Sequence, residues 1–141
     1  MTEKNLYYLI ELTARKIRHY GQTILNEHGL NLSIEQWLVL KTVSENEGIN
    51  QIKIGELLIK DKPTISRMIK NLVNQEYIVK RNDTKDLRQY AIYLTPKGNE
   101  LLKRLLPIIE DIRLKGLNNL TEDEQLAANS ILLKIQNNLF E

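Results

Sequence analysis

The sequence predicts a mainly α fold with one small β-hairpin, and three observations predict it. Apolar residues recur at helical spacing over most of the chain; Ile65, Met68, Ile69, Leu72 and Val73, for example, make one stripe at i, i+3, i+4, i+7 and i+8. Between Tyr77 and Leu94 that period gives way to stretches rich in β-branched and aromatic residues. Helix start signals at Ser33, Thr95 and Thr121 divide what remains.

Residues 5 to 28 form the first helix, with Leu6, Leu9, Ile10, Ile17, Tyr20, Ile24 and Leu25 on one broad face. Tyr7, Tyr8 and Leu12 widen that face beyond what a single core needs, and Gly29 is a natural stop. Ser33-Ile34-Glu35-Gln36 is a capping box, so a second helix starts there, buries Trp37, Leu40 and Val43, and ends near Glu47 and Gly48. A lone Trp on an apolar helix face reads as core rather than as a ligand-stacking group.

A short helix from Gln51 to Lys60 buries Ile54, Leu57 and Leu58. Only Lys60-Asp61-Lys62 separates it from the next, with Asp61 as N-cap and Pro63 in the first turn, where a missing N–H costs little. Two short helices joined by such a turn read as helix-turn-helix, whose second member suits a major groove. The face of that second helix away from its stripe carries Thr64, Ser66, Arg67, Lys70 and Asn71, all able to donate to phosphates and base edges and none acidic.

Tyr77 to Arg81 and Gln89 to Leu94 then read as two strands, joined by the polar loop Asn82 to Arg88. A hairpin appended to a helix-turn-helix is a wing. Asp86 and Arg88, two apart on an extended chain, share a face, so Asp86 can pair with Arg88 and steady it. Thr95 caps the next helix, and Pro96 occupies its first turn. Leu101, Leu105, Ile108 and Ile112 make one stripe there, and Leu102, Leu106 and Ile109 a second; Pro107 should kink this helix or divide it, and Gly116 ends it. Thr121-Glu122-Asp123-Glu124 opens a last helix carrying Leu126, Leu132, Leu133, Ile135 and Leu139. Terminal helices with more apolar surface than their own domain can cover are expected to form a pairing surface.

The net charge of +2 says little about partners, but its distribution says more. From Gln51 to Lys97 there are ten Lys or Arg against five Asp or Glu, a net of +5. Positive charge thus gathers on the module expected to meet phosphates. With no cysteine, disulfides, thiolate catalysis and thiol-based peroxide sensing are excluded. The opening MTEKNLYYLIEL is unlike a secretory leader, and no apolar run nears the roughly 18 residues of a membrane span, so a cytoplasmic protein with no membrane partner is expected.

The run Leu32-Ser33-Ile34-Glu35-Gln36-Trp37, the helix pair after it, and Asp86-Leu87-Arg88 followed by Leu94-Thr95-Pro96-Lys97-Gly98 resemble the MarR family of bacterial winged helix-turn-helix regulators. The D-x-R element, with L-T-x-x-G beginning six residues after its Arg, sits where that family places its wing. The resemblance extends over almost the whole chain, and residues 30 to 98 carry the motifs. It implies residues 1–30 as a dimerisation helix, 31–98 as a winged helix-turn-helix DNA-binding lobe and 99–141 as dimerisation helices. It also implies a homodimer on double-stranded DNA with a near-palindromic operator, usually a repressor. A small aromatic or phenolic ligand between the pairing helices and the reading lobes would release the DNA. The family often has Gly where this chain has Glu76, so a backbone needing positive φ there would use Asn74 or another path.

Arg67 is the first choice for contact with a guanine edge or a phosphate, with Thr64 and Ser66 for bases or phosphates. Lys62, Lys70 and Lys85 suit phosphates as flexible point charges, and Arg88 a minor groove. Against each stands the plain alternative of a solvated side chain, or, for Thr64 and Ser66, a residue favoured at helix starts for its own sake. Arg15, His19 and Tyr20 on the first helix are candidates to line a ligand cleft, beside solvated or core roles. His19 and His28 fall on opposite sides of one helix and cannot share a metal. No other ligand cluster, Gly-rich phosphate loop or base–nucleophile pair is recognisable, so no metal, no cofactor and no enzyme activity are expected. The second function class left open is a winged-helix protein–protein interaction module, its basic face turned to an acidic partner.

Overall fold

The computed structural model describes residues 5–85 and 88–140. Six helices and one hairpin follow in the order α1 (Leu6–Glu27), α2 (Ile34–Glu45), α3 (Gln51–Leu58), α4 (Lys62–Asn74), β1 (Ile78–Asn82), β2 (Tyr90–Leu94), α5 (Pro96–Gly116) and α6 (Glu122–Leu139). β1 and β2 pair antiparallel with Ile78 opposite Leu94 and Asn82 opposite Tyr90, and a bridge from Ile49 to Ile92 ties the hairpin to the start of α3. Mainly helical with a two-stranded wing, the chain has the predicted fold class.

The start signals act as their chemistry requires. Ser33 Oγ accepts the Gln36 N–H while Gln36 Oε1 accepts the Ser33 N–H, both at 3.0 Å. Thr121 and Glu124 make the same reciprocal pair. Glu124 is held below its ordinary carboxylate value by the Thr121 N–H first and the Thr121 side chain second. Thr95 Oγ1 accepts the Gly98 N–H at 3.0 Å, and Pro96 opens α5.

The core lies where α1, α2, α4, β2 and α5 meet. Leu25, Val39, Leu40, Val43, Ile54, Ile69, Leu72, Ile92 and Leu105 are wholly buried, and Trp37, at 5% exposed, is a core residue. α4 turns Ile65, Ile69 and Leu72 inward, with Met68 and Val73 half-buried beside them, which is the predicted stripe.

Several expectations are corrected. Leu57 is 51% exposed: the eight-residue α3 packs through Ile54 and Leu58, and Leu57 falls on its flank. α3 stops at Leu58 and α2 at Glu45, each short of its predicted end. Pro107 does not divide α5, which runs unbroken to Gly116. The carbonyl that Pro107 cannot serve belongs to Lys103, and both residues lie on the exposed side, where water can take the place of the missing donor.

Glu76 itself adopts the left-handed conformation, at φ 65°. Its N–H reaches the Val73 carbonyl at 2.9 Å, and the Tyr77 N–H reaches Leu72 at 3.0 Å, so α4 ends in a Schellman motif with Glu where glycine is usual. α3 ends the same way around Ile59, at φ 52°. α1 ends around Gly29, where no side chain resists the turn.

Candidate nucleic-acid interface

The interface is assembled from α3, the turn, α4 and the hairpin. Asn50 caps α3 through Oδ1, which accepts the Lys53 N–H at 2.8 Å. Gly55 lets the two helices close up, since a Cβ there would sit 3.3 Å from the Lys60 carbonyl oxygen. Ile59 turns the chain, and Asp61 starts α4 by accepting the Thr64 N–H at 2.8 Å. The Thr64 side chain, then its backbone N–H, hold the Asp61 carboxyl below its ordinary value, with smaller help from Arg67 and Lys60. Arg67 Nη2 in turn donates to Thr64 Oγ1 at 3.4 Å. Asp61, Thr64 and Arg67 thus form one chain of contacts along the first turns of the helix.

Of the predicted reading residues, Lys62, Ser66, Arg67 and Lys70 are exposed and Thr64 is half-buried. With Asn71 they give α4 an outward face without a carboxylate. The hairpin adds cations. Lys80 lies 5.5 Å from the centre of the Tyr90 ring and Arg81 5.2 Å from that of Tyr93, diagonal neighbours across the strands. Lys85 is exposed, its N–H held by Asp83 Oδ1 at 2.8 Å, and Arg88 is exposed on the same loop. Asp86, the expected partner of Arg88, lies outside the described residues.

One positioning contact escaped the sequence reading. Asn50 Nδ2 donates to Gln89 Oε1 at 2.8 Å, fastening the residue after Arg88 to the cap of α3 across 39 positions. No local pattern announces a pair so far apart. Arg81 was also missed, although the strand register makes its packing on Tyr93 readable once the hairpin is aligned.

Arg15, His19 and Tyr20 lie on the exposed side of α1, Arg15 paired with Glu11. A separate cavity of about 320 Å³ opens between α1, α2 and α5, with Ile17, Ile34, Trp37, Leu38, Ile109 and Ile112 among its walls and Arg18, Lys41 and Arg113 as its cations. None of the three candidates lines it.

A helix-turn-helix followed by a β-wing, its second helix presenting an acid-free outer face, defines a winged helix-turn-helix protein. The sequence profile of the transcriptional regulator SarA/Rot family matches residues 19–105, more than half of the chain. The transcriptional regulator HosA of Escherichia coli is 24% identical over 107 residues, which span 76% of this chain and 79% of HosA. The crystal structure of the transcriptional regulator SlyA superposes with a TM-score of 0.86 at 28% identity, covering 96% of this chain and 94% of SlyA. A mutant MarR from E. coli, crystallised with operator DNA, gives 0.84 at 21% identity, with 92% of each chain covered. The chain belongs to the SarA/Rot family of transcriptional regulators and is a winged-helix regulator of the MarR/SlyA type. Its family and fold are those of regulators, not enzymes. Among the described residues no helix is long and apolar enough to cross a membrane.

Proposed function

We propose that the chain acts as a homodimer on double-stranded DNA, with α4 in the major groove and the wing at its flank. The observation that carries this reading is the outer face of α4, where Ser66, Arg67 and Lys70 stand exposed on a helix that itself contains no carboxylate. Lys62, Lys85 and Arg88 extend the same charge as phosphate and minor-groove contacts, Thr64 supports Arg67, and Asp86 steadies Arg88. These contacts divide as such interfaces usually do, lysines positioning the protein and Arg67 specifying sequence.

Pairing follows from what the single chain leaves uncovered. Leu6, Tyr7, Tyr8 and Leu9 on α1 are exposed, and α6 buries none of its residues although it carries Leu126, Ile131, Leu132, Leu133 and Leu139. Residues 1–30 and 99–141 serve as the pairing helices, and 31–98 as the reading lobe. Two copies related by a two-fold then address successive major grooves of a near-palindromic operator, roughly 34 Å apart. Occupying a promoter in this way makes the protein a repressor.

An inducer fits the cavity between α1, α2 and α5, whose apolar walls and cationic residues suit a small aromatic carboxylate. Arg15, His19 and Tyr20 would join such a cleft only on its outer side, toward the partner copy. The ligand releases DNA by no more than its preference for the lobe spacing that fits the duplex poorly.

Fluorescence anisotropy with duplex DNA across a salt series tests the reading. Affinity should fall log-linearly with salt, with a slope of about 0.9 per phosphate neutralised, and heparin should compete. Indifference to DNA at low salt would leave the winged-helix protein-interaction module as the better account.

A further inference from the structure

One polar side chain bridges the junction between α1 and α2. Gln22 Oε1 accepts the Ile34 N–H at 3.0 Å, while Gln22 Nε2 donates to the Leu32 carbonyl at 3.0 Å and to Asn26 Oδ1 at 3.1 Å. The Ile34 amide is one of the first donors of α2, which no carbonyl within the helix can reach. Gln22 therefore satisfies a group that would otherwise need water, and grips the chain on both sides of the Ser33 cap.

Its neighbours close the joint. A Cβ on Gly21 would lie 2.9 Å from Ile34 Cδ1, so α1 rests on the first residue of α2 with no side chain of its own between them. On the other side Glu35 receives Arg18 from α1 and Lys60 from the turn ahead of α4, each at 3.4 Å. Partly exposed ion pairs of that length contribute little. Two hydrogen bonds of one amide, to Leu32 and Ile34, therefore set the geometry across the joint, and the third steadies that amide on α1.

We infer that Gln22 is a positioning residue for DNA reading: it fixes the angle between the pairing helix α1 and the lobe, and so the separation of the two α4 helices. The inference rests on the dimeric, DNA-bound reading given above. Leverage makes the angle matter. From Gln22 back to the exposed apolar Leu9 the helix runs about 20 Å, so a swing of about 10° at the joint moves that end by roughly 3 Å. That is close to the rise of one base pair, roughly 3.4 Å.

The test uses the full-length protein and a duplex it selects from a random pool, remade with one or two base pairs inserted between the half-sites. Affinities for this series are read by anisotropy for the wild type, Gln22→Ala and Gln22→Glu, with sedimentation confirming that each is a dimer. The wild type should lose about tenfold or more on insertion, as misplaced half-sites do. Gln22→Ala should bind the matched duplex about fivefold more weakly and lose far less on insertion, giving a flattened spacing profile. Gln22→Glu keeps the acceptor for Ile34 but not the donor to Leu32 and should fall between; it decides the matter if the alanine variant does not fold. A variant that keeps the wild-type spacing profile overturns the inference, whatever its affinity, because lowered stability alone does not change which spacing is preferred. A wild type that ignores DNA, or binds it without regard to spacing, overturns the functional reading itself, and that outcome appears in the wild-type arm alone.

Discussion

At the start of α5 a Cβ on Gly98 would lie 2.1 Å from the Tyr77 carbonyl oxygen, whereas at its end Gly116 meets nothing within 4 Å. The contrast continues along the helix. Leu101, Leu102, Leu105 and Ile109 are buried, while Leu114 is 56% exposed. Around Gly98 the chain is closely tied: the Thr95 N–H and side chain hold the Tyr77 and Glu76 carbonyls, and Lys97 Nζ donates to Gln75 at 2.9 Å over the Tyr77 ring. One helix thus has two environments. Its first half is part of the lobe that carries α4, and towards its end the burial fades, with Ile112 half-buried and Leu114 exposed.

The largest effect that would break this comparison is at the glycines. Gly98→Ala should destabilise the chain by roughly 3 kcal/mol or more, since backbone rather than a flexible side chain must move. Gly116→Ala should gain about 0.5 kcal/mol from helix propensity. Denaturant titration of both variants reads the difference, and equal responses would refute the division. Next, Leu105→Ala should cost about 3 kcal/mol through the cavity it leaves. Leu114→Ala should stay within about 0.5 kcal/mol at concentrations too low for pairing.

On the reading side, Arg67→Ala should weaken binding to the preferred duplex by about 1–3 kcal/mol and relax sequence preference, whereas Arg88→Ala should weaken all duplexes alike and lower the salt slope by about 1. Smaller again, Glu76→Gly should raise stability by roughly 1 kcal/mol by relieving the left-handed backbone. A melting temperature that falls instead would mean the Glu76 side chain has a partner worth more than the strain. The smallest effect is one of pH. The Asp61 carboxyl is depressed below its ordinary 3.8, so its cap is fully present above that value and is lost as pH falls through the lower folded value. Amide exchange at Thr64 should rise in that window, and Asp61→Asn should abolish the dependence.

Where one short segment contains both partners of an interaction, the sequence announced it. Ser33 with Gln36, Thr121 with Glu124, and Asp61 ahead of Pro63 all mark helix starts that the structure contains. The Ile65 to Val73 stripe marked the face α4 buries, and with it the outer face bearing Arg67 and Lys70. Contacts between distant segments left no trace, as at Asn50 with Gln89 or Gln22 with Ile34. Ile59 and Glu76 were hidden for another reason. Both sit where glycine is the usual signal, and the Schellman hydrogen bonds hold each in a conformation its own side chain disfavours. Leu57 shows the limit of periodicity in two turns of helix, too short to say which of three leucine and isoleucine positions faces out.

The bare surface of α6 carries a consequence beyond architecture. A helix of this kind draws most of its stability from packing an apolar face, and this one packs none within its own chain. Under the proposed pairing its folded lifetime becomes a matter of mass action: abundant chains would shelter one another's C-terminal segment, and scarce ones would present a frayed, greasy end to proteases. The cell's supply of this regulator would therefore fall off more steeply than its rate of synthesis, giving a threshold below which stray single copies are cleared.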